Sequence, residues 1–347
     1  LLMRLGVKLV LLEQKMYRAL FALLTLFPGL IYASSCVVLL YHNISDITPK
    51  STSVSPKLFE QHLKYLSEKN YNVISLSRMV EGLKLMNLPE KCVSLTADDA
   101  NESIYSNAFP LLKKYNLPLS VFVSTGSIDM NYPSMMSWQQ MRNMQNKNIY
   151  FYNHSVSHPY LINMKNDEIY NQITKAQLRL EQELGVKENF FAYPYGEENI
   201  EIIQLLEGLG YVSFGQQSGA ISYNNDMSNL PRFPMSFKFA DMSSFITKIN
   251  TLPMPVIHKR VNSVVPNNNP ILNLEFVEPL SNSKQKQFAC YAGGSNTKVD
   301  WKSNKIVSIQ ANNELPSRRF RYNCTMPSGE GNRYYWFSKQ FIKENKD

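Results

Sequence analysis

From Cys36 to about Asn250 the chain repeats one unit, a short apolar run followed by an amphipathic stretch. "CVVLLYH" gives way to "KLFEQHLKYLSEKN", "YNVISL" to "SRMVEGLKLM", "CVSLTADD" to "YSNAFPLLKKYN", "LSVFVSTG" to "SWQQMRNMQN", "IYFYNHS" to "NDEIYNQITKAQLRLEQELG", and "ENFFAYPYG" to "IEIIQLLEGLG" before "YVSFGQQ". Strands that alternate with helices in this way run parallel, because each helix returns the chain to the edge where the last strand began. The pattern predicts an α/β fold, and parallel sheets and barrels collect their chemistry at the carboxyl ends of the strands.

The alternation stops at "LPMPVIHKRVNSVVPNNNP". Pro253, Pro255, Pro266 and Pro270 with the Asn run predict a linker over residues 251–270. Beyond it "ILNLEFVEPL", "KQFACYAGG", "KIVSIQA", "RRFRYNCTM" and "RYYWFSKQF" are short β-like runs separated by turn residues, which predicts a small all-β domain over 271–347 of unassigned role. A length of 347 residues suits one large and one small domain.

The formal net charge of +8 invites a nucleic-acid reading. Four of the basic residues, Arg4, Lys8, Lys15 and Arg18, lie in the first 35 positions, and no Lys/Arg cluster interleaved with aromatics follows, so nucleic acid is not an expected partner. Lys15 and Arg18 instead precede "ALFALLTLFPGLIYASS", an apolar run broken by Pro28 and Gly29 that ends in small residues. It predicts a signal peptide over residues 1–35, with Met16 as an alternative start, and a secreted or periplasmic protein. The run is too short and too broken for a comfortable membrane span. Acylation of Cys36 is the competing reading, although "CVVLLYH" reads as the first core strand and leaves no tether. Membrane contact is therefore expected only through a retained signal or a lipidated Cys36. The four cysteines, Cys36, Cys92, Cys290 and Cys324, all follow the signal, an even number suited to an oxidising compartment. Sequence order suggests a Cys290–Cys324 bridge. Cys36 and Cys92 both open strand-like runs and could be neighbours, and the absence of C-x-x-C spacing argues against a zinc site made of cysteines.

The polar residues at the strand ends carry the chemistry. Asp98 and Asp99 close "CVSLTADD", His154 and His158 follow "IYFY" as "HSVSH", and Tyr195 follows "ENFFA" in "YPYG". Adjacent carboxylates raise one another's pKa unless something relieves them; alone they would also suit a helix N-terminus. Two imidazoles four apart with one carboxylate form a catalytic metal set with open positions. A cation on one acid relieves the repulsion and leaves the other as a base.

In order and content these pieces resemble the polysaccharide deacetylases of the NodB-homology family, particularly the branch of biofilm poly-N-acetylglucosamine deacetylases. "SLTADD" is similar to the first family motif, "HSVSH" to the second, "FAYPYG" to the third and "LPRFPM" to the fourth, and the likeness spans roughly 37–250. The resemblance implies a distorted (β/α) barrel over residues 36–250 and one divalent metal ion, most often Zn2+, held by Asp99, His154 and His158. It implies Asp98 as the general base, Arg232 beside it to hold its charge, and the Tyr195 backbone amide at the oxyanion. Tyr195 and Trp138, the latter in the matching "SWQQM", would line the sugar site. The implied reaction removes N-acetyl groups from an N-acetylhexosamine-containing envelope or extracellular glycan, β-linked N-acetylglucosamine above all, and releases acetate. Ala97 and Ala100 depart from the usual Phe and Gly, Ala192 stands where many members carry Arg, and the motif supplying a general acid has no clean match, leaving His42, His258 or neither. These departures support an alternative in which a catalytically inactive deacetylase-like scaffold binds glycan or assists envelope assembly.

Overall fold

The computed structural model describes residues 35–145 and 147–344. The signal-like segment and the Met16 start lie outside the described residues. Strands β1 (Ser35–Tyr41), β2 (Cys92–Ala97), β3 (Leu119–Val123), β4 (Ile149–Asn153), β5 (Phe190–Ala192) and β6 (Val212–Phe214) pair in parallel, one after the next. β7 (Ala220–Ser222) runs antiparallel on the far side of β1, and β8 (Phe233–Pro234) and the short Asn72–Val73 strand complete a nine-stranded sheet curled into a half-barrel. β1, β2 and β3 are buried almost throughout, which is why they read as continuous apolar runs and not as alternating ones.

The helices start where the sequence caps them. Ser55 accepts the Leu58 amide ahead of α1 (Pro56–Glu68), Ser75 accepts that of Arg78 ahead of α2 (Leu76–Lys84), and Ser137 and Gln140 form a capping box at α3 (Trp138–Met144). The apolar faces of α1 and α2 cover the curled sheet. The longest helix among the described residues, α4 (Asn166–Leu184), ends at Gly185 in a left-handed conformation. With α5 (Ile200–Gly208) it closes a separate apolar cluster around Phe191 and Tyr193.

The segment 251–270, expected as a linker, contributes two short strands to the second sheet. β9 (Leu252–Pro253) and β10 (Val264–Val265) both pair in parallel with β16 (Tyr334–Lys343), the long last strand of a second, eight-stranded sheet. Pro253 is tolerated because β9 is an edge strand of two residues, where a missing N–H costs no ladder bond. The Asn run is pinned as well, with Asn268 donating to the Leu315 carbonyl at 2.6 Å. The sheet is completed by β11 (Leu272–Glu275), β12 (Ala289–Ala292), β13 (Ser295–Trp301), β14 (Ile306–Ala311) and β15 (Arg319–Pro327), around a core of its own.

Both cysteine pairs are bonded, Cys290 to Cys324 and Cys36 to Cys92. Each joins residues directly opposite on neighbouring strands. The Cys36 sulfur is thereby committed to Cys92, which corrects its reading as an acylation site. No helix among the described residues is long and apolar enough to cross a membrane.

On α1, His62 is fully buried, stacked on Phe245 of α6 (Met242–Ile249) at 4.2 Å, with Nε2 donating to the Ala240 carbonyl at 2.8 Å and Nδ1 accepting from the Tyr41 hydroxyl at 3.1 Å. Burial pushes its pKa down to about 4, the Ala240 carbonyl only partly opposing. The native state therefore favours the neutral ring. Its stabilising contribution is complete above the unfolded value near 6.5 and is lost as pH falls from there towards 4, up to about 3 kcal/mol. His62→Gln keeps hydrogen-bonding groups without titrating, so urea melts between pH 7 and 4.5 should show a flatter loss of stability than the wild type.

Candidate active site

The chemistry-bearing residues gather at the carboxyl ends of β2, β4 and β5. Asp98 follows the last residue of β2, and its amide donates to the Tyr41 carbonyl at 3.0 Å. Its carboxylate is fully buried and forked by Arg232, with Nη1 on Oδ1 at 2.7 Å and Nη2 on Oδ2 at 2.8 Å. Arg232, just before β8, is equally buried. Its Nε donates to the Gly215 carbonyl at 2.9 Å, its Nη1 also reaches Thr96 Oγ1 at 3.3 Å, and the Phe122 ring lies beneath the guanidinium at 5.2 Å. Burial drives the Asp98 carboxyl up, but the Arg232 charge, helped by His154 and His42, overcomes it and holds the group at about 2. Asp98 is thus a buried carboxylate held in its ionised form at neutral pH.

Beside it stand Asp99, His154 and His158, each able to offer one ligand atom, all three atoms within 4.8 Å of one another. His154 Nε2 lies 3.6 Å from Asp99 Oδ1, and His158 Nε2 lies 3.5 Å from the same oxygen. The His154 Nδ1–H donates to the Ala192 carbonyl at 2.7 Å, which leaves the Nε2 lone pair facing Asp99. That Nε2 is buried and has no hydrogen-bond partner among the described residues. A fixed tautomer with an orphaned lone pair beside a carboxylate and a second imidazole suits a divalent cation better than any neutral use. His158 is pushed down to about 4, first by burial and then by His154, so it presents a neutral ring at pH 7. Asp98 and His154 are sealed from solvent, whereas Asp99 and His158 remain about a quarter exposed and form the open side.

The backbone carries strain here. Asp99, Ala100, Ser155, His158 and Tyr195 all hold positive φ, a region that side chains of these types seldom adopt. Ala100 departs from the expected Gly and holds a left-handed conformation that a Gly adopts freely, at φ +60°. Gly196 is also left-handed, and a Cβ there would meet Gln216 Cβ at 2.7 Å.

Residues 86–214 match the family model for polysaccharide deacetylase, a span that includes Asp98, Asp99, His154, His158 and Tyr195. The chain carries a polysaccharide deacetylase domain. Over 201 residues it is 26% identical to poly-β-1,6-N-acetyl-D-glucosamine N-deacetylase of Staphylococcus aureus, covering 54% of this chain and 69% of the relative. The Streptococcus pyogenes deacetylase PplD in complex with acetate superposes with a TM-score of 0.59 at 26% identity, over 62% of this chain and 98% of that one. IcaB from Ammonifex degensii shares the fold, with a TM-score of 0.53 at 24% identity over 61% and 97% of the two chains.

Within the deacetylase domain the remaining sequence-derived residues separate. The Tyr195 ring packs edge-on against His158 at 4.4 Å and stacks on Tyr160 at 4.2 Å, forming an aromatic wall beside the cluster. Trp138 is engaged elsewhere: its indole N–H donates to Asp129 at 2.8 Å and Arg179 covers its ring at 5.3 Å. None of its described contacts reaches the Asp98 cluster. His42 lies close enough for its charge to bear on Asp98 and His158. His258 instead faces Phe337, with Asp226 as its charged neighbour. Sequence reasoning missed the Ala192 carbonyl that orients His154, the Tyr160 half of the aromatic wall, and Glu197, a fully buried acid directly after "YPYG". The last had a signal, since an acid next to an apolar strand end needs a partner.

Proposed function

We propose that the domain is a metal-dependent N-deacetylase of an N-acetylhexosamine glycan, exported to the bacterial envelope. The observation that carries this reading is the orphaned His154 Nε2, converging with His158 and Asp99 beside a buried carboxylate that Arg232 keeps ionised. Asp99, His154 and His158 would hold one divalent cation, with Zn2+ favoured by the two imidazoles. Such a cation supplies Lewis acidity to water and to an amide carbonyl.

Asp98 accepts the proton as water attacks the acetamide carbon, and Arg232 keeps that carboxylate charged and aimed. The Tyr195 amide stabilises the oxyanion. The C–N bond then breaks, acetate leaves, and the sugar nitrogen takes up a proton. The rings of Tyr195 and Tyr160 offer an apolar wall for one sugar face, and Asp99 and His158 mark the side from which a chain of sugars approaches. Disulfide bonding in both sheets supports an oxidising compartment. The S. aureus relative supports β-1,6-linked N-acetylglucosamine as the first polymer to test. Metal content of the purified protein, measured with acetate release from N-acetylglucosamine oligomers, tests the reading. Release from O-acetyl sugars alone would overturn it.

Of the two imidazoles considered for the proton that the leaving amine needs, His42 is the one whose charge bears on Asp98 and His158, which supports it over His258. His42→Gln should lower kcat on an N-acetyl sugar by about 10²-fold, while hydrolysis of a phenyl acetate, whose leaving group needs no proton, should fall far less. Equal losses on both would remove His42 from that role.

A further inference from the structure

Tyr195 sits in a left-handed conformation, φ +60° and ψ 4°, followed by Gly196 at φ +67°. The turn's own bonds, from the Gly196 amide to the Tyr193 carbonyl at 2.8 Å and from the Glu197 amide to the Pro194 carbonyl at 3.1 Å, leave the Tyr195 and Gly196 carbonyls to other donors. The groups that hold them come from the second sheet. Gln340 on β16, only 4% exposed, donates Nε2 to the Gly196 carbonyl at 2.7 Å and to the Tyr195 carbonyl at 3.4 Å. Arg319, opening β15, donates Nη1 to the Tyr195 carbonyl at 3.2 Å and lies over its ring at 5.7 Å. Arg318 forks onto Glu197 at 2.6 and 3.0 Å and covers the Tyr160 ring at 5.2 Å.

The chain of restraint ends at a particular N–H. The Glu197 amide donates to the Pro194 carbonyl at 3.1 Å, and in a trans peptide that carbonyl points opposite to the Tyr195 N–H. Anchoring Glu197 through Arg318 therefore sets the direction of the Tyr195 N–H from one side, while Gln340 and Arg319 set the next peptide from the other. Contacts serving only to cement two sheets would be apolar and indifferent to the loop, as where Trp336 meets Phe233 edge-on at 5.4 Å. Here polar groups seek out the carbonyls of the strained residues themselves.

We propose that Gln340, Arg318 and Arg319 are positioning residues for deacetylation: the second sheet holds the Tyr195 peptide in the conformation in which its amide serves the oxyanion. The proposal rests on the deacetylase reading of Tyr195 and gives the second sheet a part in the chemical step. It also predicts that the sheet's removal impairs turnover and not only glycan binding.

The test uses the full chain and two independent readouts. In Gln340→Met, which keeps the volume and deletes the donors, hydrogen exchange followed by mass spectrometry should show the amides of residues 195–197 exchanging about tenfold faster, with the strands of both sheets unchanged. On N-acetylglucosamine oligomers kcat should fall about tenfold or more, with KM and metal content as in the wild type. Arg319→Met, at a partly exposed position and so safe for folding, should lower kcat by a smaller factor, and Arg319→Lys, which retains a charged donor, should restore most of it. Unchanged exchange at 195–197 in Gln340→Met overturns the clamp. Faster exchange with unchanged kcat overturns its catalytic role, as does a rise in KM alone. A wild-type chain that releases no acetate from any N-acetyl glycan would overturn the proposed function instead, and the exchange measurement would still decide whether the sheet holds the loop.

Discussion

Asp98→Asn is expected to lower kcat for acetate release by about 10²- to 10⁴-fold while the protein retains its divalent cation. His154→Ala is expected to lose both. The contrast follows from the geometry: Asp98 spends its two oxygens on Arg232, whereas the only unpartnered atom of His154 is the Nε2 that faces Asp99. Metal analysis of each purified variant, alongside acetate release, separates the two roles. A full complement of metal in His154→Ala would remove that residue from the ligand set, and full activity in Asp98→Asn would require a different base.

Arg232→Met is expected to destabilise the fold by about 3–5 kcal/mol, because it leaves the Asp98 carboxylate buried without its partner. The pH dependence carries a sign. In the wild type the Asp98 carboxyl sits at about 2, below its unfolded value, so its contribution is present above pH 4 and is lost as pH falls towards 2. Without Arg232, burial dominates and raises the same carboxyl, so the variant loses less on acidification. The gap between wild type and variant should therefore narrow between pH 5 and pH 3 in denaturant melts. Adding Asp98→Asn to Arg232→Met should recover part of the loss, since a buried pair removed together leaves no orphaned charge. Additive losses would argue that the two side chains are not one unit.

The strand–helix alternation, the strand-end acids and the His154–His158 pair were legible because each is a local pattern. Strand β2 announces itself by its apolar run, and Asp98 by ending it. Arg232 could be placed beside Asp98 only through the resemblance, since the two lie 134 positions apart and share no periodicity. The strands within 251–270 were not legible for a related reason: β9 and β10 are two residues each, too short to alternate, and their pairing with β16 is a property of the folded sheet. Gln340 could not be singled out at all. In "WFSKQF" it is one polar residue at an alternating position, and only the approach of the Tyr195 loop makes it exceptional. Trp138, a large aromatic in a motif, suggested a sugar platform, and only the fold shows that Asp129 and Arg179 engage it.

The left-handed backbone at Asp99, Ala100, Ser155, His158 and Tyr195 has a bearing on how this protein would respond to engineering. Each such residue stores on the order of 1–3 kcal/mol. Glycine would relieve much of that at Asp99, His158 and Tyr195, the positions where a side chain is needed. A library screened only for heat resistance would thus be drawn first to substitutions that erase the proposed ligand set and the aromatic wall. Thermostable variants of this chain are best sought at the helix caps and on the outer faces of the two sheets, with those backbone positions held constant.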